Sequence, residues 1–166
     1  MGNGVAHGME RTKPLYPAPV GALLARPMAA FEIQRAVRFE EVDAARIVFF
    51  ARYLGYGHEA MEAFFGALEG GYHGLVDGRG IGFPAVHVDA TYDAPLRFGD
   101  TITIRVDVTK LGTTSCTFRY VFVRQDGVRA ATLLHTCVCC ELAGEPKKIL
   151  FPPDVRARLE AHLVAP

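Results

Sequence analysis

The residue whose setting most invites chemistry is Asp43. It stands in a polar connection, Glu40 to Arg46, after an alternating apolar run (Phe31, Ile33, Val37, Phe39). Beyond it lies a stripe at helical spacing: Leu54, His58, Met61, Phe65 and Leu68. The first turn of a helix presents N–H groups without intrahelical partners, together with a partial positive charge. Such an end polarises a carbonyl and stabilises the oxyanion that develops when the carbonyl is attacked. A carboxylate just upstream can attack directly, giving an anhydride, or can activate a water. An aspartate before a helix is most often a cap. Asp43 precedes the stripe by several residues, which weakens the capping explanation.

Other reactive side chains read more simply. His58 falls on the apolar stripe and reads as a hydrogen-bonded core residue first, a site residue second. Glu59 and Glu62 are reserve carboxylates on the same helix. His135, Cys137 and Cys139 alternate along one strand and are of zinc-binding type. Three ligands along a straight strand span about 13 Å, too far for one ion. They are therefore expected to be packing residues with small buried thiols, and neither metal nor cofactor is expected. Arg97, Arg105, Lys110, Arg119, Lys147 and Lys148 are phosphate-competent but sit as solvated strand faces do. His73 and Asp77 read as loop polar residues.

The elements that must hold Asp43 follow from periodicity. A strand is expected over Phe31 to Phe39, and a helix from about Phe50 to Leu68. Gly55 and Gly57 each cost that helix about 1 kcal/mol, which implies close packing against a sheet or a ligand. Gly70 to Gly82 reads as a glycine-rich loop. Four strand-like segments follow: Val86 to Tyr92, Thr101 to Val108, Phe118 to Phe122 and Val128 to Cys140. The turn signals Leu111-Gly112 and Asp126-Gly127 make neighbouring strands antiparallel. A Pro-Pro-Asp start at Pro152 opens a short helix ending near Leu163. The expected architecture is α+β, a twisted antiparallel five-stranded sheet wrapped around one long central helix. Val121, Val123, Leu133 and Ala131 are expected on the outer face, apolar surface that favours a dimer or tetramer.

Composition narrows the setting. The 166 residues have room for one domain, with residues 1–30 (Gly, Pro and Ala-rich) as a flexible tail and 31–166 as the domain. Eighteen Lys and Arg balance eighteen Asp and Glu. That neutrality argues against a nucleic-acid partner, gives no electrostatic reason for membrane association and favours self-association. No apolar run approaches the ~20 residues of a spanning helix. The N-terminal stretch, interrupted by Pro14, Pro17, Pro19 and Pro27, does not read as a secretory signal. Cys116, Cys137, Cys139 and Cys140 are then expected as reduced thiols in the cytoplasm.

The segment Val37 to Leu54 (VRFEEVDAARIVFFARYL) is similar to the opening of the 4-hydroxybenzoyl-CoA thioesterase family, which includes the Tol-Pal-associated enzymes. Asp43, Ala44, Ala45, Ile47, Val48, Phe49, Phe50 and Tyr53 fit its pattern. A second patch agrees: Gly82-Phe83-Pro84-Ala85-Val86, Tyr92, Pro95-Leu96 and Gly99-Asp100. The resemblance implies the hot-dog fold, homodimers that often pair into homotetramers, and metal-free hydrolysis of an acyl-CoA with an aromatic or short-to-medium-chain acyl group. By it, Asp43 is the catalytic carboxylate and the backbone N–H near Phe50 or Ala51 the donor to the thioester carbonyl. Tyr53, Ile47, His58 and Arg46 become candidates for lining the substrate. In some hot-dog enzymes a helix carboxylate from the opposite subunit acts instead, which keeps Glu59 and Glu62 in reserve. Arg46 stands where the family usually has glycine, so the loop differs in shape or Arg46 faces the ligand as a cation. The alternatives are an acyl-carrier-protein thioesterase, a hot-dog hydratase or dehydratase (for which His58 is the one pointer), and a non-catalytic acyl-CoA sensor.

Overall fold

Alternating apolar residues build five strands into one sheet. The computed structural model describes residues 30–164. The tail expected over 1–30 therefore lies, except for residue 30, outside the described residues. Strands β1 (Phe31–Ala36), β3 (Ala85–Tyr92), β4 (Thr101–Leu111), β5 (Ser115–Arg124) and β6 (Arg129–Val138) form an antiparallel sheet in the order β1-β4-β5-β6-β3. A short strand β2 (Ile81–Gly82) pairs with β7 (Cys140–Glu141) and β8 (Lys147–Lys148) in a small second sheet.

Helix α1 (Arg52–Phe65) lies in the curve of the large sheet and buries Tyr53, Tyr56, Gly57, Ala60, Met61, Phe64 and Phe65. Against it stand Ile102, Ile104, Val106 and Val108 of β4, and Phe118, Tyr120 and Phe122 of β5. Gly57 is where helix and sheet come closest: a Cβ there would lie 2.7 Å from Leu133 Cδ2. The close packing expected of this glycine is what the fold uses. A C-terminal helix, α3 (Pro153–Glu160), follows the double proline. The chain after it bonds back to β4, His162 O accepting from Val108 N–H at 3.0 Å.

Several expectations need correction. The first strand stops at Ala36, because Val37 N–H turns to Asp100 O and the chain enters a 3-10 turn, Phe39–Glu41. The glycine-rich stretch is largely helical: α2 (Gly71–His73) runs into a π-type turn, Gly74–Gly78, with the positive-φ glycines Gly70, Gly71 and Gly80 at its ends. Leu133 and Ala131 are buried on the inner face, paired with Tyr120 and Phe122. The apolar outer face is Val121, Val123 and Leu134, each only partly covered. The buried stripe of α1 is also rotated from the expected one, leaving Leu54 and His58 exposed.

That rotation leaves one edge of the sheet bare. Helix α1 packs across β1, β4, β5 and β6 and meets β3, the last strand in the order, through Tyr53 on Tyr92. Val88, Ala90 and Tyr92 share the inner face with their partners His135, Leu133 and Ala131. Yet Val88 is 41% exposed and the neighbouring Val86 60%.

Candidate active site

Asp43 sits at the head of a tight hairpin. Val42 and Val48 form an antiparallel bridge. Within it Asp43 N–H donates to Ile47 O at 3.0 Å, and Arg46 N–H donates to Asp43 O at 2.9 Å. The Asp43 carboxylate is exposed and accepts one local hydrogen bond, from Ala45 N–H at 2.8 Å. This is the self-closing turn that Asp side chains make with their own backbone, and it engages one oxygen of the exposed carboxylate. Asp43 does not cap α1, whose first turn has no side-chain cap.

Arg46 closes the turn at φ 60°, and it is the one non-glycine residue with positive φ among the described residues. An L residue holds that conformation at a cost of roughly 1–2 kcal/mol. The turn therefore keeps the left-handed geometry that a glycine adopts freely.

The chain from this hairpin into α1 exposes backbone donors. Phe49 N–H is taken by Glu41 O at 3.0 Å. The next two amides, of Phe50 and Ala51, donate to no acceptor among the described residues. Phe50 is itself fixed through its carbonyl, which accepts from the Tyr92 hydroxyl at 3.1 Å. Two free N–H groups thus lie at the positive end of a 14-residue helix, seven residues after an exposed carboxylate. Free donors and positive helix end act together on a carbonyl oxygen.

Asp43, Arg46, Ile47, Phe50 and Ala51 form one continuous stretch. Tyr53 lies beneath it, buried, its ring edge-on to Tyr92 at 5.1 Å and to Phe122 at 5.4 Å. His58 lies about two turns along α1. It is exposed rather than buried, and pairs with Glu62 at 3.0 Å. Burial, reinforced by charge on His58, lowers the pKa of His135. Leu54, His58 and Glu62 stand exposed on α1, and the His58 ring lies edge-on to Tyr72 of α2 at 5.9 Å. Gly55 and Glu59 line the flank that faces β1.

On the β1 flank is a cleft of about 380 Å³, lined by Arg35, Arg38, Glu41, Ala51, Arg52, Gly55, Tyr56 and Glu59. Three arginines and two glutamates make it a poor seat for an apolar group. Three of its residues, Arg35, Glu41 and Tyr56, went unnoticed in the sequence. One signal was there: Arg35 follows Phe31 and Ile33 on the inward parity of β1, where a cation needs a buried acid.

Comparison with known proteins identifies the family. The family model described as the thioesterase-like superfamily matches residues 37–159. A 1,4-dihydroxy-2-naphthoyl-CoA hydrolase of Synechococcus elongatus is 34% identical over 113 residues, 67% of this chain and 83% of that protein. The Nostoc punctiforme protein of the same name is 32% identical over 134 residues, 80% of this chain and 88% of its own. Among solved structures, a gentisyl-coenzyme A thioesterase superposes with a TM-score of 0.70 at 29% identity, covering 76% of this chain and 99% of that one. A thioesterase-superfamily protein from Jannaschia sp. CCS1 reaches a TM-score of 0.76 at 28% identity, covering 87% and 100%. The hot-dog architecture and the matched stretch, which takes in the Asp43 hairpin and all of α1, lead to one assignment: the chain belongs to the thioesterase-like superfamily of hot-dog proteins.

Proposed function

We propose that this protein hydrolyses an aromatic acyl-CoA to the free acid and CoA, with Asp43 as the reacting carboxylate. The observation that carries the proposal is the pair of unpartnered amides at Phe50 and Ala51, downstream of an exposed carboxylate. A thioester oxygen received by these donors would gain negative charge as the carbonyl is attacked. The donors then bind the transition state more strongly than the substrate, which is what lowers the barrier. Asp43 attacks the carbonyl carbon itself, or removes a proton from the water that does. In either case the thiolate of CoA leaves and water supplies the new acid oxygen. Relatives named for naphthoyl and gentisyl thioesters support an aromatic acyl group.

The acyl group belongs on the β3 flank, where Phe50 (62% exposed), Leu54, Val86 and Val88 stand open. A second copy would cover that flank. Pairing β3 with its twofold mate would join the two sheets and bring the partner's α1 over the bare inner face. The site is then completed only in the dimer, and His58 and Glu62 line the seam. The free buried thiols and the lack of any helix long and apolar enough to cross a membrane, among the described residues, suit a cytoplasmic enzyme.

The test is thiol release from benzoyl, 4-hydroxybenzoyl, phenylacetyl and graded aliphatic CoA thioesters, with wild type and Asp43→Asn in parallel. Aromatic thioesters should turn over, and Asp43→Asn should slow them by ~10²–10⁴-fold while the fold survives. Binding without thiol release would point to an acyl-CoA sensor or a hydratase instead. Full activity in Asp43→Asn would move the chemistry to Glu59, Glu62 or His58.

A further inference from the structure

We infer that Glu41, held by Arg35, is a positioning residue that sets the Asp43 hairpin and the Phe50–Ala51 donors in one frame. The inference rests on the roles proposed above for Asp43 and those donors.

Glu41 is buried, two residues before Asp43. One carboxylate oxygen accepts from Arg35 Nη2 at 2.6 Å, and the other from Arg38 N–H at 2.7 Å. Its main-chain oxygen accepts from Phe49 N–H at 3.0 Å, the amide immediately before the two free ones. The side chain of Glu41 is thus tied to Arg35 and Arg38, and its backbone to Phe49, so one residue links β1 and the 3-10 turn to the start of the donor segment. The Glu41–Phe49 bond also closes the hairpin begun by the Val42–Val48 bridge. If residue 41 shifts, Asp43 and the donors shift relative to each other.

The grip is anchored to three elements. Arg35 comes from β1, and its side chain, like that of Glu41, is only 9% exposed. Its guanidinium lies 3.8 Å from the centre of the Tyr56 ring, on α1, and its Nε lies 3.2 Å from Glu59, also on α1. Nη1 and Nε of Arg35 are buried without well-formed hydrogen bonds, so Glu41 is its principal partner. Burial alone would raise the Glu41 pKa. The Arg38 N–H, the Arg35 guanidinium and the nearby Tyr56 hydroxyl outweigh it and hold the carboxyl below its ordinary value. A charged, doubly bonded carboxylate wedged among β1, the 3-10 turn and α1 has little freedom to move. Nothing in the proposed chemistry needs Glu41 to touch the thioester.

The experiment is steady-state kinetics of Glu41→Gln on an aromatic acyl-CoA, beside wild type, Asp43→Asn and the double variant Arg35→Met/Glu41→Gln. A displacement of about 1 Å at reacting atoms can cost ~10²-fold in rate. Glu41→Gln should therefore lower kcat about 10- to 100-fold and leave KM nearly unchanged. Amide exchange over residues 43–51 should quicken in the same variant. Removing both buried charges should recover the melting temperature but not kcat, and that variant stands in if Glu41→Gln alone fails to fold. A folded Glu41→Gln with wild-type kcat overturns the inference. So does recovery of kcat together with melting temperature in the double variant, which would make the pair structural only. Activity surviving in Asp43→Asn overturns the site assignment and this inference together. Activity surviving only in Glu41→Gln overturns the inference alone.

Discussion

Arg46 holds a backbone conformation that glycine would hold without strain. Relieving it should return roughly 1–2 kcal/mol, less about 0.4–1 kcal/mol for the greater freedom glycine has when unfolded. Arg46→Gly should therefore stabilise the fold by about 0.5–1 kcal/mol, read as a higher urea midpoint at unchanged slope. An unchanged or lower midpoint would mean the loop is not strained at this residue. Glu41 gives a second prediction. Its carboxyl is held below the ordinary 4.5, so its folded form favours the charged state. The stability this adds is fully present above the unfolded value and is lost as pH falls through the folded one. The gap in stability between wild type and Glu41→Gln should be widest near neutrality and close under acid; a gap independent of pH would show that charge is not what matters there. Asp43 could be singled out in the sequence because it precedes the helical stripe by several residues, too far to cap it, and lies in the stretch similar to a known family. Glu41 could not. Its importance comes from Arg35, brought in from β1 by the fold, and from a carbonyl that no side-chain pattern announces.

Two glycines two residues apart in α1, and so on different faces of it, carry opposite demands. A Cβ on Gly55 would meet nothing within 4 Å, whereas one on Gly57 would lie 2.7 Å from Leu133 Cδ2 and 3.5 Å from Tyr120. Gly55→Ala should then gain about 0.5–1 kcal/mol, the helix preference for alanine. Leu133 is only 3% exposed and has nowhere to retreat, so at Gly57 the clash should offset that gain. Gly57→Ala should melt lower than Gly55→Ala, and lower than wild type. Equal stabilisation by both would mean the helix stands off the sheet more than its packing indicates. The helix itself was plain from spacing, but its rotation was not. Leu54 looked like a core residue because it is apolar and in phase with Met61. In the fold Tyr53 and Tyr56 take the buried face, and Leu54 is left exposed. Likewise the glycines from Gly70 to Gly82 suggested a loop, although the left-handed φ values of Gly70, Gly71 and Gly80 serve to enter and leave short helical turns.

The sheet ends on a strand whose edge is protected only lightly, by an irregularity between Ala85 and His87 and by Asp89. Ala85–Tyr92 has no lysine and no proline, and its inner face shows Val86 and Val88 to solvent. Edge strands left this way invite pairing. The self-association expected from zero net charge and a spare apolar face was argued partly from Leu133 and Ala131. Those two face inward; the bare surface is at the β3 edge, where order in the sheet rather than apolar pattern decides exposure. Val88→Asp tests this at the level of the assembly. Val88 is 41% exposed in the single chain, so the substitution should cost the isolated fold little. Across a dimer seam it would set two unpaired carboxylates near a twofold axis, in a place they cannot be solvated. The variant should sediment as a monomer with native secondary structure and lose thiol release, because the acyl pocket is then open on one side. A variant that keeps the wild-type mass and activity would place the subunit contact elsewhere, with the outer-face residues Val121, Val123 and Leu134 next in line. A monomeric variant that still turns over would show instead that one chain holds the whole site, and that the helix flank of Leu54, His58 and Glu62 needs no partner to hold the acyl group.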